Sequence, residues 1–192
     1  MNAAMAKSYT PEDLLRMNGE RYELVDGDLV EKGMSFRSDK IGGRIYYRME
    51  QFCETQPIGR ANPETSFQCF PDAPNRVRRP DASFISFDRL PADVAETDGH
   101  CRIVPDLVAE VVSPNDLYSD VEEKVAEYKS AGVRLIWVVN PPARTVRIHR
   151  KDGTVTDVGP TATLSGEDVL PGFTCPVAAL FPLPKTAPER DA

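Results

Sequence analysis

The chain has 192 residues, of which 41% are hydrophobic and 28% charged, and a formal net charge of −7. That size suits one globular domain over residues 1–181 with a core of its own, and no apolar run approaches the roughly 20 residues needed to cross a bilayer. The acidic balance argues against strong nonspecific attraction to nucleic acid, which relies on Lys and Arg displacing counterions.

In chain order, Met1 to Ser8 carries no long apolar core, so no secretory leader is expected and the cytoplasm is the expected location. Thr10, Pro11 and Asp13 form a helix start, with a hydroxyl cap, a first-turn proline and an early acid, and a short helix runs to about Met17. Tyr22 to Val30 reads as two short strands around an Asp26, Gly27 turn, a hairpin that carries Glu23. From Ser38 onward, Ile41, Ile45, Met49 and Phe52 recur at helical spacing, and Gly42 and Gly43 allow close backbone contact there. Glu64 to Phe70 and Asp81 to Phe87 read as strands, followed by a polar loop over residues 88 to 104.

The run Leu107, Val108, Ala109, Glu110, Val111, Val112 has the length of a buried strand, and alternation puts Glu110 on the face of Val108 and Val112. A carboxylate there is costly unless a cation, a proton or several donors meet it. After a turn at Ser113 to Asp116, Ser119 and Glu122 have the spacing of a capping box, and Gly132 closes the helix they open. Val121, Val125 and Tyr128 form its apolar stripe, which leans Lys124 toward the protein. Leu135 to Val139 is a second buried strand, and a strand, helix, strand series at this spacing makes the two strands parallel. Thr145 to Val158 reads as a hairpin turned at Asp152 and Gly153, and Pro182 to Ala192 as a proline-rich, disordered tail.

Cys53, Cys69, Cys101 and Cys175 show no metal-site spacing and read as reduced, packed thiols. His100 and His149 read as structural or surface residues, which disfavours a catalytic triad or a histidine-rich metal site. Arginines cluster at Arg76, Arg78 and Arg79 and again, with Lys151, at Arg144, Arg147 and Arg150. What remains is Asp81 at the start of one strand, Glu110 on the next and Lys124 on the inner edge of the following helix. Neighbouring strands would bring the two carboxylates to one point. The same residues also suit a buried ion pair between helix and sheet, and Glu23 a solvated hairpin side chain.

The order Pro80, Asp81, then Glu110 resembles the PD-(D/E)XK nuclease superfamily. More narrowly, Tyr22 to Gly27, Arg79 to Asp81, Pro105 to Pro114, Lys124 with Tyr128, and Ala131 to Val133 leading to Trp137 resemble the Uma-two restriction endonuclease family, over about Thr10 to Phe181. The resemblance implies an α/β fold with a restriction-endonuclease-like core, a central mixed β-sheet flanked by helices with added β-hairpins. It implies a metal-dependent endonuclease acting on nucleic acid, with DNA the expected substrate and a homodimer as a possible working form. Asp81 and Glu110 would hold magnesium or manganese, joined by the carbonyl of Val111 and with Glu23 as an outer or second-metal ligand. The superfamily's usual lysine position is Val112 here, and Lys124 is the residue that matches the family's displaced amine. Ser38 stands where relatives often carry histidine, and Asn140 where aspartate is common. A nuclease fold that no longer cuts and serves as a binding or assembly module is the alternative from another class, and a purely structural homo-oligomer is a third.

Overall fold

The structure, a computed structural model, describes residues 8–17, 21–33, 35–90 and 98–181. The expected tail and part of the expected polar loop, residues 91–97, lie outside the described residues.

Thr10 caps α1 (Pro11–Arg16): its hydroxyl accepts the Asp13 amide while the Asp13 carboxylate accepts the Thr10 amide. The expected hairpin follows as β1 (Tyr22–Val25) and β2 (Asp28–Glu31), paired antiparallel with Glu23 opposite Val30. Asp26 and Gly27 take the positive φ values, 52° and 90°, that this tight turn requires. The long helix, α2 (Phe36–Thr55), begins ahead of its buried apolar stripe because Ser35 and Ser38 trade side-chain and backbone hydrogen bonds at its start. Ile41, Ile45 and Met49 lie on its buried face, as their spacing requires.

A mixed six-stranded sheet is built from β3 (Gly59–Pro63), β4 (Ala82–Ser86), β5 (Leu107–Val111), β6 (Leu135–Asn140), β7 (Thr145–Arg150) and β8 (Val155–Val158), in that spatial order. The pair β5 and β6 is parallel, joined by α3 (Tyr118–Ala131), and the other four pairs are antiparallel. A short hairpin of β9 (Thr163–Ser165) and β10 (Thr174–Pro176), followed by a 3-10 turn at Val177–Leu180, packs its apolar residues with the α2 face of the sheet. Helices thus flank a central mixed sheet, as the resemblance implies. No helix among the described residues is long and apolar enough to cross a membrane.

Two elements differ from the expectation. The strand expected over Glu64 to Phe70 is displaced: β3 ends at Pro63, Glu64 turns the chain with φ 41°, and Phe67 makes isolated bridges to Arg78 and Cys101. Phe67, Cys69 and Phe70 are apolar because they fill the core beneath α3, not because they pair in the sheet. Ser119 is not the cap of α3. The amides of Asp120 and Val121 both reach the carbonyl of Leu117, so the helix starts at Tyr118 and the Ser119 hydroxyl turns to Asp120 instead. Gly132, at φ 94°, ends it as expected.

The two faces of β5 divide the core. Leu107, Ala109 and Val111 join Trp137, Ile45 and Met49 on the α2 side, and Val108 joins Ile136, Val125 and Tyr128 on the α3 side. Alternation therefore aims Glu110 at α3. All four cysteines are free, and burial pushes the Cys53 thiol to about 11 and the Cys69 thiol to about 12, far from thiolate chemistry.

Candidate active site

Asp81 stands immediately before β4 and is 8% exposed. Gly42 lets α2 pass it closely: a Cβ on that residue would lie 3.0 Å from the Asp81 Cβ. Its Oδ2 accepts the amide of Val111, 2.6 Å away on the neighbouring strand, and its Oδ1 accepts the Lys32 ammonium at 2.7 Å. Glu110, 7% exposed, accepts the Tyr128 hydroxyl on Oε1 at 2.7 Å, and its Oε2 lies 3.7 Å from Lys124 Nζ. One helical turn separates Lys124 from Tyr128, so a single face of α3 presents both groups to the strand acid.

Glu23 is 1% exposed and fully engaged. Its Oε1 accepts the Arg79 amide at 2.9 Å, and its Oε2 meets Arg78 Nη1 and Lys124 Nζ, each at 3.0 Å. Arg78 also donates to Glu127 through Nε at 2.6 Å and Nη2 at 2.8 Å, and Arg76 reaches the same carboxylate at 2.6 Å. A continuous chain of buried charge therefore runs Glu127, Arg78, Glu23, Lys124, Glu110.

Burial drives the Glu110 carboxyl above its ordinary pKa, with Lys124 and Lys32 pulling against it and Asp81 and Glu23 reinforcing it. For Glu23, burial also pushes upward, but Lys124, Arg78 and the Arg79 amide outweigh it and hold the group below the usual range. Burial alone would discharge Lys124, yet Glu110 and Glu23 raise its pKa instead. Lys124 is thus held as an ammonium at neutral pH: it can stabilise developing negative charge and orient water, but it is not a base.

Glu23, Lys32, Arg78, Glu110, Val111 and Lys124 line a cleft of about 600 Å³, and Asp81 meets it through its bonds to Val111 and Lys32. Glu23 and Glu110 both meet Lys124, and Asp81 is bonded to Val111, the residue after Glu110 on β5. The mouth is acidic, with Glu31, Asp116, Asp120 and Glu123 along it. Within the arginine clusters, Arg78 and Arg76 pair with Glu127, Arg147 with Asp157 and Arg150 with Glu167, and Arg144 lies over the Phe181 ring. Ser38 bridges to the Ser113 hydroxyl at 2.9 Å, tying α2 to the turn after β5, and Asn140 accepts the Ala143 amide at the end of β6.

Two groups were missed in the sequence. Lys32 reaches Asp81 across 49 positions, although alternation along β2 does place it on the Glu23 side of the hairpin. Glu127, three residues after Lys124, shares that face of α3 and was passed over because it breaks the apolar stripe.

A hard divalent cation fits the donor chemistry. Two carboxylates on adjacent strands match the one or two protein carboxylates that magnesium takes while keeping waters and substrate oxygens. Among the described residues no three Asp, Glu, His or Cys side chains gather into a ready-made metal cage.

The fold has a solved counterpart. The crystal structure of a putative nuclease belonging to DUF820 from Anabaena variabilis ATCC 29413 superposes with a TM-score of 0.75 at 20% identity, over 90% of this chain and 97% of that one. No curated protein matches the sequence. A family model described as "Putative restriction endonuclease" matches residues 11–178, nearly the whole chain and every site residue above. With that coverage, the chain belongs to the Uma2 family of that description.

Proposed function

We propose that the protein is a divalent-cation-dependent endonuclease that hydrolyses phosphodiester bonds, with DNA as its substrate. The observation that carries this reading is the meeting of Glu110 and a charged Lys124 in one open cleft of a nuclease-like fold, with Asp81 bonded to the cleft residues Val111 and Lys32. Asp81 and Glu110 would hold magnesium or manganese, with the Val111 carbonyl as a further oxygen, and such an ion would supply an acidified water and offset charge on the scissile phosphate. The chain's own groups do the rest. The Val111 amide fixes the Asp81 carboxylate, and the Tyr128 hydroxyl fixes one oxygen of Glu110. Lys124 stabilises the charge that develops on the phosphoryl oxygens and orients the attacking water. Glu23, with its oxygens taken by Arg78, Arg79 and Lys124, serves better as the group that holds Lys124 than as a metal ligand.

A non-cutting binding module is the second reading, favoured by the acidic mouth and by the Lys32 ammonium on Asp81. Incubating the purified protein with supercoiled plasmid and an excess of magnesium or manganese separates the two. Conversion to nicked circles that stops on addition of EDTA is expected. Intact plasmid with both cations, and likewise intact single-stranded DNA and RNA, would favour the module.

A further inference from the structure

Among the described residues that line the cleft, Lys32 is a cation to which the proposed chemistry gives no role. It follows β2, is 7% exposed, and donates to Asp81 Oδ1 at 2.7 Å and to the Arg79 carbonyl at 2.8 Å. The two lysines are held apart by different acids. Lys124 is retained on the α3 side by Glu23 at 3.0 Å, whereas Lys32 sits on the very oxygen that Asp81 would offer to a metal. The other Asp81 oxygen is already bound to the Val111 amide. An ammonium and a divalent cation seek the same hard oxygen, and two positive charges sharing it repel one another.

We propose that Lys32 is a tethered counter-cation: its ammonium competes with a divalent metal for Asp81 Oδ1, so the chain sets its own metal affinity through the Lys32 and Asp81 pair. This rests on the reading that Asp81 and Glu110 bind a divalent cation. In the metal-free protein Lys32 keeps the buried Asp81 carboxylate paired, which avoids the cost of an isolated buried charge. When a cation binds, the amine swings from Asp81 into the cleft that it already lines, where Glu31 or a substrate phosphate can receive it.

The test is calorimetric titration of the full chain with manganese chloride at fixed pH and ionic strength. Lys32→Met is expected to bind manganese at least tenfold more tightly than the unsubstituted protein, and Lys32→Met with Asp81→Asn to lose that gain. Equal or weaker affinity in Lys32→Met, with clear binding by the unsubstituted protein, overturns this inference alone. No binding by either protein overturns it together with the metal reading. Because the substitution leaves Asp81 unpaired, a second measurement needs no variant: the side-chain ammonium signal of Lys32 in ¹⁵N-lysine-labelled protein, followed during magnesium addition. The signal is expected to shift and exchange faster with solvent as magnesium saturates, while that of Lys124 stays protected. A Lys32 signal unchanged at saturation overturns the inference.

Discussion

Lys124→Met lowers plasmid nicking by about 10²–10³-fold at saturating magnesium, the effect of removing one preorganised group from developing transition-state charge. The expectation comes from placement and charge together. Lys124 is held by Glu23 at 3.0 Å and lies 3.7 Å from Glu110, and both acids keep it protonated. Its loss therefore removes a fixed positive charge and not a proton acceptor, so the pH profile of the residual activity keeps its shape while its height falls. Lys124→Arg restores little, because a planar guanidinium cannot occupy the point position that an ammonium takes between two carboxylates. Single-turnover cleavage rates measure this, and a Lys124→Met rate equal to that of the unsubstituted protein would remove the amine from the chemistry.

Arg78→Met has the largest expected effect on stability, about 3–5 kcal/mol, since it removes the central cation of a buried network and leaves two acids behind. Arg78 is 3% exposed, and its partners Glu23 and Glu127 are 1% and 9% exposed. That is a large share of the stability of an ordinary domain, so the variant is expected to be partly unfolded at 37 °C. Urea unfolding followed by circular dichroism reads it. Glu23 also makes stability depend on pH. The folded-state pKa of Glu23 lies below its unfolded value of 4.5, so its contribution is present above that pH and is lost as the pH falls through the folded value. A stability change under 1 kcal/mol on the same scale as surface ion pairs would mean that the network is solvated in solution.

The central strands β4, β5 and β6 are legible because they are short apolar runs with clear boundaries, whereas β3, Gly59–Pro63, has no such run; the parallel pairing of β5 with β6 follows from the helix between them. Glu110 was legible for the opposite reason, as an acid that breaks such a run. Burial that does not come from a sheet left a misleading trace: Phe67, Cys69 and Phe70 look like a strand because they fill the space under α3. The start of α3 was misread because the Leu117 carbonyl, a backbone group with no sequence signature, does the work assigned to Ser119. Lys32 was invisible for a different reason. Its partner lies 49 positions away, and the hairpin that carries it is a separate two-stranded sheet whose placement over the cleft no local pattern encodes. Resemblance carried Asp81, Glu110, Val111, Lys124 and Glu23 into one site, but not the roles that their contacts divide among them. Glu23 reads as a ligand in the family pattern and as the anchor of Lys124 in the geometry.

The most direct test of the cleft as a nuclease centre compares the unsubstituted protein with Asp81→Asn and Glu110→Gln, near-isosteric changes that remove charge and leave shape. Each is first shown by circular dichroism to be folded, then incubated with supercoiled plasmid and magnesium. Magnesium-dependent nicking by the unsubstituted protein is expected, with a loss of at least about 10²-fold in both variants. Undiminished nicking by both folded variants would contradict a nuclease centre here and place the activity, whatever its source, outside this cleft.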